Sequence, residues 1–141
     1  MANAEWEAKI AYLNKNWLEG ISAFLELTSL GFGSAELVLH PYKKYLNAEG
    51  KVRGVMQTVL LEQAACVAAM SWGRYITPEQ LSLNYHKPCD DGRLRAVASE
   101  QHRGRYLGVY RVDVFDEQED VVASGTMTLY FQEKEIPWDN I

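Results

Sequence analysis

Apolar residues follow a helical period at the start of the chain. Spacings of four, three and four separate Trp6, Ile10, Leu13 and Trp17. This pattern predicts an amphipathic helix over residues 4–19 that ends near Gly20. Residues 21–30 show no clear period, so we interpret them as a bridging segment that stops at the glycine-containing turn 31–33.

The middle of the chain predicts one strand and one long apolar helix. From Ser34 to His40, apolar residues take every second position, which predicts a strand that Pro41 closes. The run from Gly54 to Trp72 is too long for a strand and is rich in Ala, Leu, Met and Gln, so it predicts a helix. Because this helix is apolar on nearly every side, we expect other structure to cover most of it.

The second half of the chain predicts four strands. Their apolar alternation covers residues 81–86, 93–102, 106–115 and 121–132. Short turns that contain Gly or Asp separate them, which favours an antiparallel meander in which each strand pairs with the next. The tail 133–141 is predicted to be irregular. The pattern is α+β: one strand, a central apolar helix and then four strands.

Composition and charge exclude several classes of function. The 141 residues fit one domain, and a net charge of −5 with scattered basic residues argues against nucleic acid as a partner. No apolar run approaches the roughly 20 residues of a membrane span, and the N-terminus lacks the features of a secretory signal. Cys66 and Cys89 are expected to be free thiols in the cytoplasm. No metal-ligand spacing relates His40, His86 and His102, so no metal is expected.

Glu62 is the one charged residue between Arg53 and Arg74. Its neighbours along the predicted helix are mostly apolar, and a carboxylate is costly to bury among such residues unless something compensates it. Two interpretations are open at this point. Glu62 serves a function, or it reaches solvent at an edge of the fold or pairs with an arginine.

The order of elements and the loop before the helix resemble the hotdog-fold acyl-CoA thioesterases, in particular the PaaI-like and hydroxybenzoyl-CoA thioesterase branch. In that branch the loop typically reads N-x-x-G-x-x-HGG, and a carboxylate follows nine residues after the His. The corresponding residues here are Asn47, Gly50, Arg53, Gly54, Val55 and Glu62. The resemblance spans roughly residues 21–132.

The resemblance implies a fold, an assembly and an activity. The fold is a curved antiparallel β-sheet wrapped around a central α-helix, with residues 1–20 as an extra N-terminal helix packed on a single hotdog domain, 21–141. The assembly is a homodimer or a dimer of dimers that shares each site between subunits. The activity is hydrolysis of an acyl-CoA thioester without a metal or bound cofactor, coenzyme A being only part of the substrate. No nucleic acid or membrane partner is implied.

The chemistry of a helix start supports the same assignment. The first amides of a helix have no intrahelical acceptor and favour negative charge, so those of Gly54 and Val55 suit an oxyanion site. Glu62, as general base or nucleophile, lies about 12 Å further along the helix, on the side of Thr58 and Cys66. Two antiparallel helices across a dimer interface would bring the two parts together.

Two residues depart from the family motif. Arg53 replaces its His; the guanidinium either holds a substrate carboxylate or phosphate or is a solvated charge. Val55 replaces its second Gly, and the Cβ of Val55 narrows a ligand's approach to the backbone amide.

Other candidates carry two interpretations each. Asn47 is either a turn residue or a group that positions the carboxylate or substrate. Cys66 is a packed small residue, or it lines the substrate pocket with Thr58. Arg103 and Arg105 flank a hairpin glycine; they are either solvated or bind the phosphates of coenzyme A, as basic residues do in some relatives. Candidates for lining an acyl pocket are Met70, Trp72 and Tyr85.

Two other functions remain open from the sequence. The chain is either a hotdog protein that binds an acyl-CoA or acyl carrier without hydrolysing it, or a small β-rich carrier of a free apolar ligand. Hotdog hydratases are disfavoured because no Asp and His are placed as their catalytic pair.

Overall fold

The computed structural model describes residues 4–20 and 24–138. The two helices are α1, Ala4–Asn16, and α2, Gly54–Met70. The six strands are β1, Leu25–Gly31; β2, Ser34–Leu39; β3, Arg74–Tyr85; β4, Leu94–Arg103; β5, Leu107–Phe115; and β6, Val121–Glu135. A short 3-10 helix, Lys43–Tyr45, lies in the loop before α2.

The strands form one antiparallel sheet in the order β1-β2-β4-β5-β6-β3, and α2 packs against all six of them. Every side chain from Ala64 to Met70 is buried, so the rest of the fold covers this last part of α2 on all sides. The expected α+β architecture is confirmed. The expected count of strands is wrong, because two strands precede α2 where the sequence predicted one.

The strand that the sequence missed is β1, which occupies most of the predicted bridging segment. A register shift between Leu27 and Ser29 interrupts its pairing with β2. This irregularity leaves Thr28 and Ser29 both exposed, so the alternation of buried and exposed positions breaks in the middle of the strand. Residues 21–23 of that segment lie outside the described residues.

The predicted meander is correct for β4, β5 and β6 but wrong for β3. β3 pairs with β6 at the far edge of the sheet, and β4 pairs with β2 instead. β3 also begins at Arg74, before its predicted start, and contains Pro78 beside a register shift. An edge strand tolerates proline because one of its sides needs no partner. β6 continues to Glu135, so the first part of the tail predicted as irregular is strand.

The helix α1 lies against β1. The Asn14 side chain bonds both backbone groups of Leu27: its Nδ2 donates to the carbonyl oxygen at 3.0 Å, and its Oδ1 accepts from the amide at 2.8 Å. Leu13 is fully buried, as its place in the apolar period predicts. Trp17, just beyond the end of α1, donates its indole N–H to Gln63 Oε1 at 2.8 Å. The N-terminal helix is thereby connected to the residue next to Glu62.

No helix within the described residues is long and apolar enough to cross a membrane.

Candidate active site

The first turn of α2 presents two backbone amides that have no acceptor among the described residues, those of Gly54 and Val55. The helix begins after Arg53, whose extended backbone has φ −62° and ψ 141°. The Arg53 carbonyl oxygen accepts the amides of Met56 at 3.0 Å and Gln57 at 3.4 Å. The Gly54 and Val55 amides therefore carry the positive end of the helix dipole without an internal partner.

Tyr85 covers Gly54 from the end of β3. The hydroxyls of Tyr85 and Thr58 lie 2.6 Å apart. Both lie within hydrogen-bonding distance of the Gly54 carbonyl oxygen, at 3.2 and 3.1 Å. A Cβ on Gly54 would lie 3.2 Å from Cζ of the tyrosine ring, which is tight for a side chain in that place. Glycine at position 54 lets the ring pack on the helix start, and Thr58 is held by that contact.

Glu62 is half-buried on the accessible side of α2. Its one hydrogen bond within the described residues comes from Gln63 Nε2, at 3.5 Å. No lysine, arginine or histidine in residues 4–20 or 24–138 forms an ion pair with it. An arginine partner within the chain, one of the two structural interpretations of this carboxylate, is therefore wrong for the described residues.

One chain does not bring Glu62 to the amides at the helix start. The eight residues between Gly54 and Glu62 rise about 12 Å along an α-helix. Val55, Val59 and Glu62 follow one another at helical spacing, and all three are at least partly accessible. They form a stripe on the half of α2 that the sheet leaves open.

Cys66, one turn after Glu62, is buried. Burial raises the pKa of its thiol well above the ordinary value, and the nearby charge of Glu62 raises that pKa further. A thiol held neutral in this way is a poor nucleophile. Its environment favours the interpretation of Cys66 as a packed small residue.

Asn47 forms the turn that precedes α2. Its Oδ1 accepts the amides of Glu49 at 2.9 Å and Lys51 at 3.1 Å. This geometry is the side-chain-closed turn that asparagine favours. Its carboxamide oxygen is thus occupied by the backbone, while the residue itself borders a cleft beside the helix start.

A cleft of about 500 Å³ opens beside the helix start, between the loop 47–52, α2 and the end of β3. Its lining residues are Asn47, Glu49, Lys51, Val52, Gly54, Gln57, Tyr85, His86, Lys87, Pro88 and Cys89. Gln57 is a site residue that the sequence analysis missed. The signal was present, since Gln57 is a polar residue inside the apolar run, but attention to charge alone singles out Glu62.

Arg103 and Arg105 lie at the opposite end of α2. The Arg103 guanidinium sits 3.6 Å from the ring centroid of Trp72 and 3.7 Å from the carboxylate of Glu100. That of Arg105 lies 5.3 Å from the Tyr106 ring. The 17 residues of α2 span about 25 Å. Within one chain these arginines are therefore remote from Gly54.

Two of the three candidates for lining an acyl pocket also lie at that far end. Met70 is fully buried in the core, and the Trp72 ring stacks on Phe32. Of the three, the structure places Tyr85 alone at the helix start.

The family model described as Thioesterase superfamily matches residues 49–123. This range includes α2, the strands β3, β4 and β5, and the first residues of β6. The matched range is more than half of the chain. The chain belongs to the thioesterase superfamily. The sequence is similar to that of the Mycobacterium tuberculosis protein named "Putative esterase Rv1847". It is 27% identical over 111 residues, which cover 74% of this chain and 79% of the relative.

Two solved structures share the architecture of this thioesterase-superfamily chain. The Escherichia coli PaaI protein from the phenylacetic acid degradation operon has a TM-score of 0.84 at 21% identity, covering 91% of this chain and 94% of its own. The Streptococcus mutans protein smu.793, solved bound to acetyl CoA, has a TM-score of 0.77 at 26% identity, covering 86% and 100%. The expected hotdog fold and PaaI-like resemblance are confirmed.

Proposed function

We propose that this chain is an acyl-CoA thioesterase. The observation that carries the proposal is the pairing, on one helix of a thioesterase-superfamily chain, of two amides and a carboxylate: among the described residues the amides have no acceptor and the carboxylate has no cationic partner. The amides of Gly54 and Val55 suit the negative charge that develops on a thioester oxygen. Glu62 is the group that activates the nucleophile or supplies it.

Either role of Glu62 gives the same net reaction. As a general base, Glu62 takes a proton from water, the hydroxide adds to the carbonyl carbon, and the C–S bond breaks with transfer of the proton to the departing sulfur. As a nucleophile, Glu62 forms a mixed anhydride as the coenzyme A thiolate leaves, and water then cleaves the anhydride. The products are a carboxylic acid and free coenzyme A.

The distance between the two parts requires a second subunit. About 12 Å along α2 separates Glu62 from the amides, so each site takes Gly54 and Val55 from one chain and Glu62 from another. Antiparallel pairing of two α2 helices in a homodimer, or in a dimer of dimers, satisfies this requirement. It also brings the far end of one helix, where Arg103 and Arg105 lie, towards the start of the other, where they would bind the phosphates of coenzyme A.

The remaining candidates complete the substrate site. Arg53 is exposed at the mouth of the helix start, where its charge would attract an anionic part of the substrate. Thr58 would form the wall below the thioester, and Asn47 would order the loop beside it. We place the reaction in the cytoplasm, since Cys66 and Cys89 are both buried free thiols.

The test is a thiol-release assay over a panel of acyl-CoA esters with Glu62→Gln. This variant keeps the side-chain shape and removes the basic group, so we expect turnover to fall by roughly a thousandfold. Because the Glu62 carboxylate forms no ion pair within the described residues, the melting temperature should stay the same or rise. Glu7→Gln, an exposed acidic residue of α1, is the matched control and should leave both quantities unchanged.

A less stable but fully active Glu62→Gln protein would contradict the assignment. The exposed Val55 side chain beside its amide favours a second candidate function, a hotdog protein that binds an acyl-CoA without cleaving it. That outcome would appear as retention of the acyl-CoA panel by the wild-type protein with no release of thiol. Failure to retain any coenzyme A ester would point instead to a carrier of free apolar ligands.

A further inference from the structure

The cleft beside the start of α2 contains a polar group that the proposed reaction does not use. Gln57 is 4% exposed, and its Oε1 has no hydrogen-bond partner among the described residues. Buried acceptors in folded proteins are nearly always satisfied, because an unmet one costs folding free energy. Gln57 lines the cleft while its Oε1 is buried in the wall, so a rotation of the side chain would present this unsatisfied acceptor to a ligand donor in the cleft.

Three side chains of the cleft that could donate to Gln57 bond to other groups instead. Lys51 pairs with Asp90, and Lys87 pairs with Asp116 and Asp120. The His86 ring nitrogen Nε2 lies 2.7 Å from Ser124 Oγ. None of these side chains bonds to Gln57, so the protein itself does not satisfy the open oxygen within the described residues.

Gln57 follows Gly54 by three residues, which places it on the same side of α2, about 4.5 Å further along the axis. A thioester oxygen held on the Gly54 and Val55 amides would bring the neighbouring part of the acyl group into reach of Gln57. We propose that Gln57 determines specificity by accepting a hydrogen bond from an O–H or N–H group on the acyl portion of the substrate. This inference rests on the proposed thioesterase function and assigns its substrate class: acyl-CoA esters with a donor near the thioester.

The experiment compares substrates that differ by one hydroxyl. The pairs are 3-hydroxybutanoyl-CoA with butanoyl-CoA and 3-hydroxybenzoyl-CoA with benzoyl-CoA. Because an unmet buried acceptor disfavours the analogue that lacks the donor, the wild-type protein should prefer the hydroxylated member of at least one pair by about 10- to 100-fold in kcat/KM.

Gln57→Leu removes the acceptor and should erase that preference while keeping or raising the melting temperature, since the Gln57 side chain makes no hydrogen bond within the described part of the chain. Gln57→Met serves the same purpose if the leucine variant folds poorly. Gln63→Leu is the matched control: the Oε1 of Gln63 already accepts from Trp17, so the substrate preference should survive this change.

Three results would overturn the assignment. The wild-type protein shows no preference in either pair, or the preference survives Gln57→Leu, or that variant weakens both members of each pair equally. The last result would mean that the donor belongs to the pantetheine arm of coenzyme A. If no ester is hydrolysed at all, the proposed function fails, and calorimetry with non-hydrolysable thioether analogues of the same pairs still decides whether Gln57 selects the hydroxyl.

Discussion

The side chain of Val55 is 61% exposed, although its own backbone amide has no acceptor in the described part of the chain. A bulky group therefore stands beside the position where the thioester oxygen would bind. Its Cβ restricts the direction of approach without blocking the amide. At the scale of single residues, substitutions of Val55 therefore test whether its backbone amide binds the thioester oxygen.

Val55→Pro should lower turnover by roughly a hundredfold, because it deletes one donor to the oxyanion. Proline is tolerated in the first turn of a helix, where the missing N–H has no helical acceptor to lose. Melting temperature and thiol release are measured together on this variant. Val55→Gly is the control: it keeps the amide, widens the approach and should retain or raise activity. A proline variant that is folded and as active as wild type would remove the Val55 amide from the mechanism.

Single residues were unequally predictable from the sequence. The period of α2 places Glu62 on a side with Val55 and Thr58, and the structure has all three at least partly accessible. Gln57 was visible in the sequence as a polar residue inside the apolar run, but its missing partner was not predictable, because hydrogen-bond partners are set by the tertiary fold. The contact of Arg103 with Trp72 was also not predictable from the sequence, because it depends on the order of the strands in the sheet.

At the scale of elements, one side chain of α1 forms two hydrogen bonds to the backbone of β1. Asn14 bonds to both the amide and the carbonyl oxygen of Leu27. Asn14→Leu should lower the free energy of unfolding by about 2 kcal/mol or more, because two partly buried backbone groups lose their partners. The urea midpoint measures this change.

The matched control for that variant is Asn16→Leu. The Asn16 amide makes one exposed bond, to the Tyr12 carbonyl oxygen at 3.0 Å, so its loss should cost less than about 0.5 kcal/mol. Equal effects of the two substitutions would mean that the Asn14 contacts add nothing to the attachment of α1.

Elements with a clean period were predictable, and those with an interrupted one were not. α2 and β2 match their predicted positions closely, because α2 is a long apolar run and every second residue from Ala35 to Leu39 is apolar and buried. β1 was missed because of its register shift at Leu27. The early start of β3 was missed because four consecutive residues from Thr77 are exposed, which gives an edge strand no apolar alternation to detect.

At the scale of the whole molecule, the stripe of Val55, Val59 and Glu62 on α2 is the surface that a second copy would cover. We expect sedimentation equilibrium to give twice or four times the chain mass of 16.0 kDa. Val59→Glu places a charge on the stripe and should shift the protein towards monomer with parallel loss of turnover. Val121→Glu, at a 39% exposed position on β6, is the control and should do neither. A stable wild-type monomer would rule out the shared site.

The pairing of β3 with β6 governs the order in which a newly made chain becomes foldable. β3 and α2 are synthesised well before β6. Residues 86–120 must also be synthesised before β6, the strand that pairs with β3, exists. Until then the growing polypeptide exposes an apolar helix and an unpaired strand edge. Such surfaces promote aggregation and are bound by chaperones. A premature stop codon before Val121 would remove the strand that joins β5 to β3, so it would yield a substrate for proteolysis and not a smaller enzyme.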